Sequence, residues 1–335
     1  MAPNLFSPIK VGSVELKNRI LMAPLTRVRA GLSHTPNELM KEYYAQRASA
    51  GLIIAECSMI APNTSAFVTE PGLDNEEQLA AWKEVTDAVH AKGGKIFMQI
   101  WHAGRAAHPE NNNGEDNVAP SAIGIDGHCL EDTIVHQFGS VAKNCVDVAG
   151  FDGVEIHGAN GYLVEQFLRS KTNVRMDDYG GSPEKRTRFL TEVLQAVTDA
   201  IGADRTGIRF SPLSNEEDPL GHSGRVAKIA QELNLAYVHI LRRDWTNSQT
   251  VDIEPVFREH FHNTLISNFG YTKDEANANI EAGKIDAVAF GVPFIANPDL
   301  PERFAQNAEL NKPDQSTFYG DDGKGYTDYP FLNSA

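Results

Sequence analysis

Residues 75–101 read NEEQLAAWKEVTDAVHAKGGKIFMQIW, and this one stretch carries a helix followed by a strand, each with its own termination chemistry. Asn75 and Gln78 form a capping box, which satisfies amides of the first turn that have no partner inside the helix. Leu79, Trp82, Val85 and Val89 fall on one helical face, and Gly93-Gly94 ends it. The run from Ile96 to Trp101 has the length and apolar composition of a buried strand.

The same unit recurs outward in both directions. Ser182 caps a second helix with Pro183 in its first turn, and Phe189, Leu190, Val193, Leu194 and Val197 supply its apolar stripe up to Gly202. Short apolar runs stand at 20–25, 52–56, 96–101, 153–157, 207–211, 237–241, 264–268 and 287–291, and the spaces between them read as helices. That is the number of units a (β/α)8 TIM barrel needs. A doubly wound open sheet shows the same alternation, but no strand here runs directly into GxGxxG or GxxxxGK[ST]. The expectation is an α/β protein with one TIM-barrel domain over residues 1–335. Residues 8–19 alternate around Gly12 and predict an N-terminal hairpin closing the barrel floor. Beyond residue 300 a Gly-, Pro- and aromatic-rich stretch shows no helical period and predicts an irregular C-terminal tail on the outside.

Acidic residues number 45 and basic residues 30, a net charge of −15 that repels phosphate backbones and anionic membranes. No basic patch opposes it, so neither nucleic acid nor membrane is an expected partner. Cys57, Cys129 and Cys145 form no CxxC pair and have no histidines at ligand spacing, which predicts no metal site and free thiols. Residues 1–12 lack a cationic stretch followed by an apolar run, and no run of about eighteen apolar residues occurs. The expectation is a cytoplasmic protein, neither secreted by the usual signal nor membrane-spanning.

Barrel enzymes build their sites at the carboxyl ends of the strands. There stand Thr26, Gln99, His102, His157, Asn160, Tyr162 and Arg209, a set of hydroxyl, amide, imidazole and guanidinium donors without a carboxylate cluster for a divalent metal. Such a set suits a planar, electron-accepting ring. Taken singly, each has a plain structural use: Thr26 capping a loop, Gln99 satisfying backbone, Arg209 pairing with a barrel carboxylate. His157, Asn160 and Tyr162 differ because three polar groups crowd one strand exit.

At these residues the chain resembles the Old Yellow Enzyme flavoproteins, from Leu5 to about Phe331. The resemblance is carried by Asn18-Arg19-Ile20, Met22-Ala23-Pro24-Leu25-Thr26-Arg27, Gln99-Ile100-Trp101-His102-Ala103-Gly104-Arg105, and the run from Phe151 through His157-Gly158-Ala159-Asn160-Gly161-Tyr162-Leu163. Asp178-Tyr179-Gly180-Gly181-Ser182, Phe294 to Leu300 and Gly325 to Pro330 complete it.

The resemblance implies bound FMN, with NADPH or NADH as reductant and a small enone or enal as substrate. It places Ala23, Pro24 and Thr26 near flavin N5 and O4, Gln99 at the pyrimidine edge, and Arg209 by N1 and O2, where a fixed cation stabilises the reduced ring. It makes His157 and Asn160 the pair of donors to the substrate carbonyl oxygen, and Tyr162 the proton donor to the α carbon. Trp101, Phe318 and Tyr319 resemble pocket residues that set substrate shape, with core packing as the competing use of each.

The pattern departs from the family at the phosphate site. Two glycines are usual after Asn268, where this chain has Phe269-Gly270, and an arginine is usual after Gly291, where it has Val292. Loss of the arginine removes a charge-assisted contact of about 1.5–3 kcal/mol, leaving the backbone amides of Gly270, Gly291 and Val292, with Arg242 or Arg243 as substitutes. Cys57 stands where glycine or alanine is usual beside the flavin. Residues 122–133, 215–223 and 245–256 are short for the family and predict an open pocket. Two other classes stay in view: a binding module that kept the barrel and lost the cofactor, and an aldolase-like lyase, which lacks its Schiff-base lysine at a strand end.

Overall fold

A computed structural model of the chain describes residues 2–121, 130–212, 216, 218–243 and 251–333. Two short strands open it, β1 (Ile9–Val11) and β2 (Val14–Leu16), paired antiparallel with Ile9 opposite Leu16. Then follow β3 (Ile20–Met22), α1 (Glu38–Gln46), β4 (Ile53–Ile54), β5 (Ser58–Met59), α2 (Glu76–Ala91), β6 (Ile96–Trp101) and α3 (Leu130–Asp147). The middle of the chain gives β7 (Gly153–Gly158), α4 (Leu163–Leu168), α5 (Pro183–Arg186), α6 (Arg188–Ile201), β8 (Thr206–Phe210) and α7 (Pro219–Glu232). Last come β9 (Tyr237–Leu241), α8 (Glu254–His260), β10 (Thr264–Asn268), α9 (Lys273–Glu281), β11 (Ala287–Phe290), α10 (Val292–Ala296) and α11 (Leu300–Gln306).

Strands β3 to β11 pair in parallel, with β11 beside β3 and β4 beside β6, so the sheet closes on itself. Strands β4 and β5 are two halves of one barrel position, which makes an eight-position (β/α)8 barrel and rules out the open sheet. The break between them falls where residues 52–56 were expected to run as one strand. Glu56 leaves the ladder there: its carboxylate accepts from Arg27 N at 3.0 Å and Tyr44 Oη at 3.1 Å.

The barrel is filled by Leu21, Leu52, Ile54, Phe97, Tyr237, Ile266 and Ala287, and the hairpin closes this core from below with Val11, Val14 and Leu16. Gly12 makes that approach possible, because its φ is +55° and a Cβ there would meet the Asp204 carbonyl oxygen at 1.9 Å. A second apolar layer, including Trp82, Phe138, Phe189, Leu194 and Phe257, seals the helices against the outer faces of the strands.

The two helix ends read from sequence form as capped ends. Asn75 accepts from Gln78 N at 3.0 Å, while the Gln78 side chain reaches back to Asp74 N, one residue earlier than an ordinary capping box. Ser182 accepts from Lys185 N, but the helix it starts is a single turn, and the chain resets at Thr187 before α6 carries the apolar stripe to Gly202.

The tail needs a correction. Residues 300–306 are helical, with Pro301 in the first turn and Arg303 bonded to Asp299 at 2.7 Å. A seven-residue helix is too short to show a period. Beyond it the chain is irregular apart from one 3-10 turn, and it is fastened rather than loosely wrapped. Arg27 and Arg29 donate to the carbonyls of Phe318, Thr317 and Gly325, and Tyr326 stacks on Tyr43 at 4.0 Å. Of the three loops read as short, residues 122–129, 215, 217 and 245–250 lie outside the described residues; 130–133, 219–223 and 254–256 belong to α3, α7 and α8. Among the described residues no helix is long and apolar enough to cross a membrane.

Candidate active site

The site is built where β6, β7 and β8 end side by side, with Gln99 registered on Glu155 and His157 on Arg209. A parallel barrel points these residues the same way, so groups more than 50 positions apart in the chain share one rim.

His157 is buried, and its Nδ1 accepts from Ala159 N at 3.3 Å. That bond leaves the ring proton on Nε2, a donor. Burial, with help from Arg209 and His239, holds its pKa well below the usual histidine range, so the imidazole is neutral near pH 7. His102 is arranged alike, accepting from Gly104 N at 3.0 Å, and burial takes its pKa down to about 4.

Asn160 and Gly161 turn the chain from β7 into α4 with φ of +58° and +81°. Asparagine tolerates this left-handed backbone better than most residues, and here it leaves the carboxamide exposed at the rim. Tyr162 follows, half-buried, its ring edge-on to Trp101 at 4.3 Å and to His157 at 4.9 Å. Burial raises the phenol pKa, with Cys57, Glu70 and Tyr319 adding to the effect, so the hydroxyl keeps its proton.

Below the rim lies a polar girdle. Gln99 Nε2 donates to Glu155 at 2.7 Å, and His239 Nδ1 pairs with the other Glu155 oxygen at 2.9 Å. Arg209 donates to the Asn268 carboxamide at 3.1 Å and reaches the Pro24 carbonyl at 3.5 Å, which sets it against the 23–26 segment. Its Nε is buried without a partner among the described residues. Thr26 Oγ1 and Cys57 Sγ stand 3.3 Å apart, and burial pushes the Cys57 thiol well up, so it stays protonated.

Above the rim, Phe67 stacks on Trp101 at 6.2 Å and on Tyr319 at 6.4 Å, forming an aromatic wall. Phe318 contributes chiefly its carbonyl, which accepts from Arg27 Nε at 2.8 Å. Phe67, Glu155, His239 and Asn268 were not singled out from sequence. A carboxylate inside the otherwise apolar run 153–157 was a legible signal, and so was Asn268 at a strand end; Phe67, in a loop, offered none.

Across the barrel mouth, β10 runs into Phe269 and Gly270 at φ of +95° and +69°, and β11 into Gly291 and α10. A side chain at Gly270 would meet only Arg242 Nη2, at 3.8 Å, so little crowds the backbone there. Arg242 is already engaged with the Phe269 carbonyl at 2.7 Å and with both oxygens of Glu275, and it lies over the Tyr271 ring. It braces the turn instead of standing free to replace the missing arginine. Val292 is 43% exposed.

A buried unpartnered guanidinium nitrogen, a carboxamide beside it and two open glycine turns across the mouth fit a flat polar ring with an anionic tail. Among the described residues no three His, Cys, Asp or Glu side chains gather as metal ligands. Fold and site together define a barrel oxidoreductase of the flavin class. The profile of the NADH:flavin oxidoreductase / NADH oxidase family matches residues 4–311. A Leishmania infantum protein described as a probable flavin mononucleotide-dependent alkene reductase is 40% identical, over 98% of this chain and 97% of its own. The solved old yellow enzyme from Trypanosoma cruzi superposes with a TM-score of 0.93 at 40% identity, covering 98% of this chain and 99% of that one. Morphinone reductase in complex with tetrahydroNAD gives a TM-score of 0.93 at 41% identity, covering 99% and 98%. The chain belongs to the NADH:flavin oxidoreductase / NADH oxidase family, the Old Yellow Enzyme family.

Proposed function

We propose that this protein is an ene-reductase that uses FMN to pass hydride from NADPH or NADH to the C=C bond of α,β-unsaturated aldehydes and ketones. The observation that carries the reading is the exit of β7, where the buried, neutral His157, registered on Arg209, is followed by the left-handed Asn160 and by Tyr162, whose protonated phenol ring stands edge-on to His157. FMN, when bound, supplies the hydride-transfer chemistry for both halves of the reaction.

The protein's own groups do the rest. Arg209 provides a fixed cation, Gln99 a carboxamide held by Glu155, and Ala23, Pro24, Thr26 and Cys57 the wall beside the ring. His157 Nε2–H and the Asn160 carboxamide donate to the substrate carbonyl oxygen. Negative charge moves onto that oxygen as hydride reaches the β carbon, so donors placed there in advance lower the barrier. A neutral imidazole serves this purpose without competing for the proton. Tyr162 holds its proton for the α carbon, and Trp101, Phe67 and Tyr319 shape the substrate, with Phe318 fastening the segment that carries Tyr319 through its carbonyl. The amides of Gly270, Gly291 and Val292 take the phosphate. The whole chain acts as one domain, in the cytoplasm.

An absorbance spectrum of the purified protein, before and after anaerobic NADPH, tests the reading. A flavin spectrum bleached by NADPH and restored by cyclohexenone is expected. Colourless protein that takes up no FMN would overturn it in favour of a binding module.

A further inference from the structure

Asn160 is held from behind by groups that touch neither substrate nor cofactor in the reading above. Its backbone N–H donates to Ser211 Oγ at 3.0 Å, just past the end of β8. The Ser211 hydroxyl in turn donates to Glu165 Oε2 at 2.6 Å. Glu165, on α4, is completely buried, and its other oxygen accepts from Arg169 Nε at 2.6 Å, one turn along the helix. Three elements of the barrel therefore meet at one hydroxyl.

A serine hydroxyl has one proton and two lone pairs. With the proton committed to a carboxyl group that is itself paired, a lone pair is fixed toward the Asn160 amide and the rotor cannot turn away. The residue so held is in a left-handed conformation, which asparagine adopts at some cost, so the bond to its amide bears directly on where its side chain is presented. The other donor arm, His157, is fixed by Ala159 N and needs none of this. The two arms of the carbonyl clamp are thus positioned by separate means.

We propose that Ser211, backed by Glu165 and Arg169, is the positioning residue that aims the Asn160 carboxamide at the substrate carbonyl, a role that rests on the ene-reductase reading. The test uses FMN-loaded full-length protein with Ser211→Ala, Ser211→Thr, Asn160→Ala and the Ser211→Ala/Asn160→Ala double variant. Two quantities are read: kcat/KM for cyclohexenone, and the Kd of cyclohexenone on the oxidised enzyme from the shift of the flavin spectrum. Ser211→Ala is expected to weaken both by about three- to tenfold, the effect of one hydrogen bond, and Ser211→Thr to restore them. In the Asn160→Ala background Ser211→Ala should change neither by more than about twofold, since a relay has no effect once its terminus is gone.

Full additivity in the double variant, or a silent Ser211→Ala, overturns the proposal. A silent Asn160→Ala in protein with normal FMN content instead overturns the assignment of Asn160 to the clamp, a different failure. If Ser211→Ala does not fold, Arg169→Met interrupts the same relay from its outer end, with the same expected loss and the same double-variant criterion.

Discussion

The exit of β7 and the exits of β10 and β11 face each other across the barrel mouth, and they are built on opposite plans. At β7 the proposed reactive groups are supported: His157 by Ala159, Asn160 by Ser211, Tyr162 by two ring edges. At β10 a phenylalanine occupies a backbone conformation that suits glycine, and at β11 Val292 presents an exposed apolar side chain at the start of a five-residue helix. The end that directs charge and protons needs side chains at fixed angles. The end proposed to take the phosphate can be served by backbone amides, which every residue but proline carries, so substitutions there leave the proposed reactive end intact.

The strongest way to break this comparison is at the reactive end. Tyr162→Phe should lower cyclohexenone reduction by about 10²–10⁴, the range of a general acid, while reduction of a quinone, which needs no carbon protonation, stays near the parent rate. Stopped-flow measurement of the oxidative half-reaction with both acceptors checks it, and equal rates of enone reduction in parent and variant would remove Tyr162 from its role. His157→Ala should cost roughly 10²–10³ in the same step, as for loss of one oxyanion donor. Because burial keeps His157 neutral, the parent rate should show no histidine titration between about pH 6 and 8; a sigmoid centred there contradicts the neutral donor.

At the phosphate end the expected effects are smaller and fall on binding. Val292→Arg should tighten FMN by about 1.5–3 kcal/mol, or more than tenfold in Kd, without changing turnover at saturating FMN. Equilibrium dialysis against FMN measures it, and unchanged affinity would mean that the side chain at 292 does not face the phosphate. Phe269→Gly should relieve the left-handed strain and raise stability by about 1 kcal/mol, read as a higher denaturation midpoint.

The smallest effects are in the pH dependence of stability. His102, with its pKa reduced to about 4, and His157 both bind more protons when unfolded, so they remove stability as pH falls below about 6.5. Glu70 acts in the opposite sense. This residue is completely buried, and burial, with Glu56 adding to the effect, raises its pKa well above the usual range. The folded protein holds that proton where the unfolded chain has lost it, so stability falls as pH rises above about 4.3. Across pH 5 to 9 the slope of stability against pH should be more positive in Glu70→Gln than in the parent, because the variant keeps the histidine contribution and loses the opposing carboxyl, and identical slopes would refute the assignment.

Much of this was legible beforehand for local reasons. A capping asparagine, a stripe at helical spacing and a following apolar run identify their elements from a few neighbours in the chain, and eight repeats of that unit imply the barrel. The run from His157 to Tyr162 was legible because its three polar groups lie within six residues. Phe67, the bond from Arg209 to Asn268, and the reliance of Gln99 on Glu155 were not, since each depends on partners brought together only when the sheet closes.

The amino-acid order alone determined the alternation of strands and helices, the polar residues at the strand ends, and the family through its long motifs. Only the tertiary structure decided that Arg242 braces the 269–271 turn, that Ser211 stands behind Asn160, and that the tail carries Tyr319 to the aromatic wall. Hydrogen bonds and ring contacts act over a few ångströms, and closing the barrel is what brings residues dozens to hundreds of positions apart within that reach.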